Sequence, residues 1–304
     1  MTGDTRARPA LSYDLVFAGN IAFDEIHPFG GETHTLFGSA VYFAAMAAAW
    51  SGKKIAMVAR MAERDTALLE EIRKTRIAVH VSPTAVTTRH RAVHLSANVD
   101  EREVLQLASA GHFTMADLPA MEPTLVHLAS VTDADFTVDF IRDLKNNGFS
   151  TAVDMQGFVR QVDGRDGSVF YADVVDKQEI ACLAGSIKLD VLEAAYLTGT
   201  ADQEEAAIQI ERWGASEVMV TSAHGVLVRH QGESYRERFT NSSVVGRTGR
   251  GDSVFGSYLA RRLDHGVADS LRFAAALASM KVETPGPFLG SEQDVLERID
   301  TDHE

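Results

Sequence analysis

The chain has 304 residues, 45% of them hydrophobic, and a formal net charge of −14. That length and apolar share suffice for one large α/β domain or two smaller ones, and the acidity argues against a general binder of nucleic acid or of an anionic membrane surface. The sequence has no run of about 18 apolar residues to span a membrane, and a single cysteine, Cys182, excludes an internal disulfide or a cysteine-built metal site.

Residues 1–12 read as a loose polar tail; Met1 to Pro9 lack the apolar stretch of a secretory signal, so a cytoplasmic location is expected. Residues 14–22 predict a buried strand, followed by Asn20-Ile21-Ala22-Phe23-Asp24. Asp24 falls just past the C-terminal end of a first parallel strand, where open α/β sheets place ligands; a solvated turn aspartate is the plain alternative. Residues 25–36, with Pro28, Gly30 and Gly31, read as a turn and short strand. Residues 37–45 open an apolar helix reaching about Trp50. A strand at 54–59 and a helix at 65–76, with Asp65 as its cap, follow. Residues 80–107 alternate Val, Thr and charged residues, which predicts strands with one solvated face. His90 and His94 would sit about 13 Å apart on such a strand, too far to share a metal.

From residue 124 strands and helices alternate. Strands are expected at 125–129, 150–153, 186–189 and 217–221, and helices at 135–147, 178–181, 190–197 and 204–213. This spacing argues right-handed βαβ units and a parallel sheet covered on both faces. Asp154 closes one of these strands. Asp190-Val191-Leu192-Glu193 has the spacing of a capping box. Cys182, within an apolar run, is expected to be buried. A β-like segment at 235–245 leads to Gly246-Arg247-Thr248-Gly249-Arg250-Gly251-Asp252-Ser253-Val254-Phe255-Gly256 and a helix at 252–263. A small-residue helix at 271–282 ends before Pro285-Gly286-Pro287.

The stretch around Gly249 carries the chemistry. Glycines let a ligand approach the main chain, and the first N–H groups of a helix have no partner inside it. They sit at the positive end of the helix dipole and suit an anion, while Asp252 at the same end is placed to take a proton from a hydroxyl. Ordinary turn-and-cap punctuation is the plain alternative.

The stretch resembles the C-terminal signature of the PfkB, or ribokinase-like, family of small-molecule kinases, roughly Asp-Thr-Thr-Gly-Ala-Gly-Asp, a small residue, then Phe. Thr248, Gly249, Gly251, Asp252 and Phe255 match it. The resemblance spans most of residues 14–288. It implies a three-layer α/β/α sandwich with a mainly parallel central sheet, as one domain over residues 1–304, with β-lid segments near 25–37 and 80–110. It also implies phosphoryl transfer from ATP to a hydroxyl of a sugar or sugar-like polyol, with Asp252 as base and the backbone of Gly249, Arg250 and Gly251 as anion hole. Asp24, Gly38, Ser39, Tyr42 and Asp154 would meet the acceptor, Gly38 and Ala44 matching a Gly-Gly-x-x-x-Asn-x-Ala motif. Glu193, in an Asn-x-x-Glu motif, would organise Mg²⁺ through water, with no direct protein ligand. Thr221, Gly225 and Thr248 would flank the nucleotide. A lid edge could pair two chains into a homodimer.

Departures from the family pattern narrow these expectations. Phe37 and Tyr42 stand where the motif has Gly and Asn, Asp190 where it has Asn, and the turn from Thr221 to Gly225 is one residue short. Gly246 replaces the Asp that potassium-activated members use, so potassium activation is not implied. Arg250 is expected to touch a phosphate or partly replace a cation, a surface salt bridge being the alternative. Rival classes are a dinucleotide enzyme, which lacks its Gly-x-Gly-x-x-Gly after the first strand, and a homologue that binds ligand without catalysis. Nucleoside and inositol kinases remain alternatives within the family.

Overall fold

The computed structural model describes residues 10–96 and 101–301, so most of the expected polar tail and four residues of the expected lid lie outside the described residues. The first strand, β1 (Leu15–Asn20), is buried on both faces. Its Leu15 and Phe17 point into one core and its Val16 and Ala18 into the other, as the two-residue period of a strand requires. The chain continues through β2 (Ala22–His27) and β3 (His34–Gly38) into α1 (Ala40–Ala48) and β4 (Ile55–Ala62). The helix expected at 65–76 is mostly a 3₁₀ segment, Glu63–Leu69, with one α turn, α2 (Glu70–Arg73).

Next come β5 (Ala78–Thr84), β6 (Thr88–His94), β7 (Arg102–Ala108) and β8 (Leu125–Leu128). β5 pairs with β4 in the main sheet, so of the stretch expected to form lid from residue 80, only the part from Thr88 enters the small sheet. The helix expected from residue 135 starts later, as α3 (Val138–Asn146), because the Thr137 hydroxyl caps it by accepting the Phe140 N–H. Asp135 is used in the preceding turn, where it accepts the Val131 N–H at 2.7 Å.

β9 (Ser150–Asp154) is followed by α4 (Gln156–Val159) and the hairpin of β10 (Arg160–Val162) and β11 (Val169–Tyr171), which has no counterpart in the sequence reading. Then come α5 (Lys177–Leu183), β12 (Ser186–Asp190), α6 (Val191–Thr198), α7 (Gln203–Trp213) and β13 (Glu217–Thr221). Cys182, expected buried, is exposed. Ile180 and Ala181 turn inward, and the next residue lies about 100° further round the helix. β14 (Gly225–His230) and β15 (Glu233–Arg238) form an edge hairpin, so the strand expected at 235–245 ends at Arg238. The chain closes with α8 (Arg250–Arg262), α9 (Val267–Val282) and α10 (Glu292–Thr301).

Among the described residues nine strands form one sheet in the order β15-β14-β13-β12-β9-β8-β1-β4-β5, parallel from β13 to β5. The two core clusters lie on opposite faces of this sheet. One contains α1, α8 and α9; the other contains α3, α5, α6 and α7. The expected α/β/α layering is therefore present. β3-β2-β6-β7 form a separate four-stranded sheet beside the main one. No helix among the described residues is long and apolar enough to cross a membrane.

This arrangement collects polar side chains at one rim. Asn20, Asp154, Asp190 and Thr221 are the last residues of β1, β9, β12 and β13. The N-termini of α1 and α8 open at the same rim, and the two helices pack closely at mid-length: a Cβ on Gly256 would lie 2.3 Å from the Ala44 carbonyl oxygen.

Candidate active site

The helix α8 begins without a side-chain cap; its Arg250 N–H donates to the Arg247 carbonyl at 3.2 Å, which leaves the Gly251 and Asp252 N–H groups of the first turn for another acceptor. Gly249, the residue before it, has φ 83°, and a Cβ there would lie 2.3 Å from the Phe43 ring. Both facts require glycine. Asp252 sits in the first turn rather than at the cap. It is half-buried, and the loss of water around it pushes its carboxyl up to about 6; the Lys188 ammonium opposes that rise and the Asp154 carboxylate adds to it. A carboxylate tuned toward neutral pH is a more effective proton acceptor than an ordinary aspartate.

Lys188 stands directly beneath the loop of residues 249–251; a Cβ on Gly251 would lie 3.2 Å from its Nζ. It is 3% exposed and donates to Asp154 Oδ2 at 2.9 Å, the two facing each other across the β12–β9 pair. Burial alone would lower its pKa, but the carboxylates of Asp154, Glu193 and Asp252 hold it above the usual lysine range. Asp154, expected against the acceptor, thus serves as the buried counterion of Lys188. Its other oxygen accepts the Gln156 N–H.

Glu193 does what the capping-box spacing predicts: its Oε2 accepts the Asp190 N–H at 2.8 Å, and Asp190 Oδ1 accepts the Leu192 and Glu193 N–H groups. Its Oε1 is fully buried with no hydrogen-bond partner, 3.9 Å from Arg160 Nη2. Burial first, and Asp190 second, push the Glu193 carboxyl up to about 7. A buried, unsatisfied carboxylate oxygen suits one water-mediated contact to a hydrated Mg²⁺. Among the described residues no group of three or more His, Cys, Asp or Glu side chains is placed to ligate a metal directly.

On the side expected from the sequence to flank the donor, Thr221 ends β13 beside Asp190. Gly225 opens β14 so tightly that a Cβ would lie 2.3 Å from the Glu237 carbonyl oxygen, which gives it a packing role in the hairpin. Arg250 crosses this side. Its guanidinium donates to the Ser222 and Ala223 carbonyl oxygens at 3.0 and 3.3 Å and lies 4.9 Å from the Phe239 ring. Through these contacts it ties the loop of residues 249–251 to the β13–β14 turn. The Thr248 carbonyl faces inward to Lys281.

On the side expected from the sequence to meet the acceptor, Asp24 Oδ1 lies 3.1 Å from His90 Nδ1, the pair facing each other across β2 and β6. Asn20 donates to Asp135 Oδ1 at 2.7 Å. Asn20 Oδ1, Ser39 Oγ and His90 Nε2 are buried without hydrogen-bond partners among the described residues. Gly38 and Ser39 adopt φ 149° and 106°, the second being backbone that side chains rarely take. Tyr42, expected against the acceptor, is buried with its ring against Phe37 and Phe43. Lys188, Arg160, Phe43, His90 and Lys281 were missed as site residues. For Lys188 the position before the capping box was a signal; Arg160 and Lys281 carry none in their local sequence.

A family model described as pfkB family carbohydrate kinase matches residues 44–294. Among solved structures, the chain is similar to a pyrophosphate-dependent kinase of the ribokinase family in complex with sulfate, at 28% identity and TM-score 0.85 over 93% of this chain and 99% of that one. A structure of a pyrophosphate-dependent kinase of that family with a pyrophosphate analog and myo-inositol matches at 27% identity and TM-score 0.84, over 93% and 99%. Ribokinase of Arabidopsis thaliana with ribose and ATP matches at 17% identity and TM-score 0.72, over 95% and 99%, which is a likeness of fold. No curated protein matches the sequence.

Proposed function

Because the chain belongs to the pfkB family of carbohydrate kinases, we propose that it transfers a phosphoryl group from a phosphoanhydride to one hydroxyl of a small cyclic polyol of the inositol class. The observation that carries this is Asp252: a carboxyl held near pH 6 in the first turn of an uncapped helix, above a buried lysine. Asp252 takes the hydroxyl proton as the oxygen attacks the terminal phosphorus. The bond to the leaving phosphate breaks, and its electron pair leaves with that oxygen. The N–H groups of Gly249 and Gly251 and the Lys188 ammonium stabilise the charge that develops, the Arg250 N–H being donated to the Arg247 carbonyl. Mg²⁺, when bound, neutralises phosphate charge; Glu193 Oε1 and the Asp190 carboxylate would hold it through water. Asp24 and His90 orient the acceptor hydroxyls, and the sheet of β2, β3, β6 and β7 acts as a lid that keeps water out.

Arg250 favours pyrophosphate as the donor. Its guanidinium spans the gap between the anion-hole loop and the β13–β14 turn, where the sequence reading put the nucleotide, and it brings charge suited to a compact inorganic anion. ATP, the donor expected from sequence, is the second reading. The exposed side chains of Val244 and Val245, just before Gly246, offer an apolar surface for a base.

The test is formation of a phosphate ester from Mg-pyrophosphate or Mg-ATP with a panel of inositols, hexoses and nucleosides. The reading expects an inositol to be phosphorylated with pyrophosphate at a kcat/KM at least about tenfold above that with ATP, a difference of roughly 1.4 kcal/mol. Turnover with ATP alone would establish the second reading. No ester from either donor with any acceptor would refute both.

A further inference from the structure

Lys281 lies in the last turn of α9 and is 1% exposed. Its ammonium donates to the carbonyl oxygens of Gly246 and Thr248 and lies 4.9 Å from the Phe43 ring centroid. Two carbonyls of one tight loop thus converge on a single cation over an aromatic face. The same loop hangs from the end of α9 by its backbone. The Val245 and Gly246 N–H groups both donate to the Val282 carbonyl, and Gly246 packs so closely that a Cβ would lie 1.9 Å from the Thr284 carbonyl oxygen.

Taking an ammonium out of water costs several kcal/mol, and carbonyl oxygens compensate it less well than a carboxylate does. Burial accordingly pushes Lys281 down to about 8, with the charge of Asp252 pulling the other way. A methionine would fill the same space at lower cost, so the charge has a use beyond packing.

The peptide geometry indicates that use. In a trans peptide the C=O of one residue and the N–H of the next point in opposite directions. Drawing the Thr248 carbonyl inward onto Lys281 turns the Gly249 N–H outward, toward the open end of α8. The positive φ of Gly249 is the bend that lets the chain enter the helix from that orientation.

We propose that Lys281 is the built-in cation of the anion hole: by gathering the Gly246 and Thr248 carbonyls it aims the loop's N–H groups at the donor phosphate, and it makes the site independent of added monovalent cations. Lys281 is a positioning residue, and it touches neither donor nor acceptor. Its effect on turnover rests on the kinase reading above; its effect on anion binding does not.

The experiment compares wild type, Lys281→Ala and Lys281→Met. Pyrophosphate affinity is read by calorimetry and phosphate-ester formation by assay, each with and without potassium, ammonium and methylammonium chloride. Sodium chloride controls for ionic strength. The expected wild type is insensitive to these cations. Lys281→Ala should bind pyrophosphate at least about tenfold more weakly and lose kcat on the order of 10²-fold, with the acceptor KM nearly unchanged. Ammonium or methylammonium should restore at least about tenfold by entering the vacated place between the two carbonyls, in line with the donor-based coordination that such oxygens offer a cation. Lys281→Met keeps the length and fills that space, so it should share the defect without the rescue.

Wild-type pyrophosphate affinity in either variant would overturn the proposal. So would threefold activation of the wild type by potassium, or a folded Lys281→Ala that no amine rescues. If Lys281→Ala fails to melt cooperatively, Lys281→Met decides by its pyrophosphate affinity. A wild type that binds pyrophosphate without phosphorylating any acceptor refutes the kinase reading and leaves Lys281 to be judged on affinity; one that binds no pyrophosphate but turns over with ATP has Lys281 judged on ATP affinity by the same comparison, and one that binds neither refutes both.

Discussion

Asp252→Asn should abolish turnover while stabilising the fold. The carboxyl rises from 3.8 to about 6 because it is held in a poorly solvated place, and Lys188 only partly offsets that. At about 1.4 kcal/mol for each unit, and after discounting for its half-open position, its charge costs the folded state about 1–3 kcal/mol. The pH window follows from the direction of the shift. The folded chain holds this proton more tightly than the unfolded chain, so stability is lost as pH rises from about 4 to 6 and stays lower above that range. Asparagine keeps the shape and carries no charge. At pH 7.5 the variant should therefore melt about 2–8 °C above wild type, and the gap should shrink as pH falls toward 4. Loss of the base should lower kcat on the order of 10³-fold. Thermal unfolding at two pH values, run beside the ester-formation assay, checks both. A variant that melts below wild type at pH 7.5, or retains more than about a tenth of its turnover, would refute the assignment.

Arg250→Ala should raise the KM for pyrophosphate at least about tenfold and improve the relative use of ATP, since the arginine both supplies charge and spans the nucleotide side; unchanged constants for both donors would remove it from the site. Glu193→Gln keeps an oxygen to accept the Asp190 N–H, so the fold should hold while the Mg²⁺ concentration for half-maximal rate rises about 10-fold; a superimposable Mg²⁺ titration would refute the contact. Ser39→Gly should raise stability by about 1 kcal/mol, because φ 106° strains a serine more than the extra unfolded-state freedom of glycine costs; denaturant titration would read it, and a loss of stability would argue that the serine is held by its environment. The kcat/KM profile should rise as Asp252 ionises near 6 and fall as Lys281 deprotonates near 8, with Lys188, Arg160 and Asp154 the other charges around Asp252; an acid limb that survives in Asp252→Asn would assign it to another group.

Much of the site was readable because it is local. The glycines before α8, Asp252 in its first turn, and the capping box of Asp190 and Glu193 each depend on residues within four positions of one another. The alternation from residue 124 onward reported the parallel sheet for the same reason, since buried strands and amphipathic helices are written in short windows. Boundaries were less secure where tertiary contacts decide: β5 joined the main sheet because β4 offered it an edge, and β15 stopped where the hairpin register ended. The left-handed backbone at Ser39 was not legible, because a serine gives no sign in sequence that it adopts φ 106°.

The sequence by itself determined the fold class, the family resemblance and a candidate base, because hydrophobic period, glycine placement and helix-end chemistry act over a few residues. Only the tertiary structure decided what surrounds that base. Lys188 meets Asp154 across 34 positions, and Lys281 reaches back 33 and 35 positions to the carbonyls of Thr248 and Gly246. Asp24 finds His90 on another strand 66 positions away. Such partners are chosen by strand order and helix packing, and desolvation sets the carboxyl of Asp252 only once those elements have closed around it.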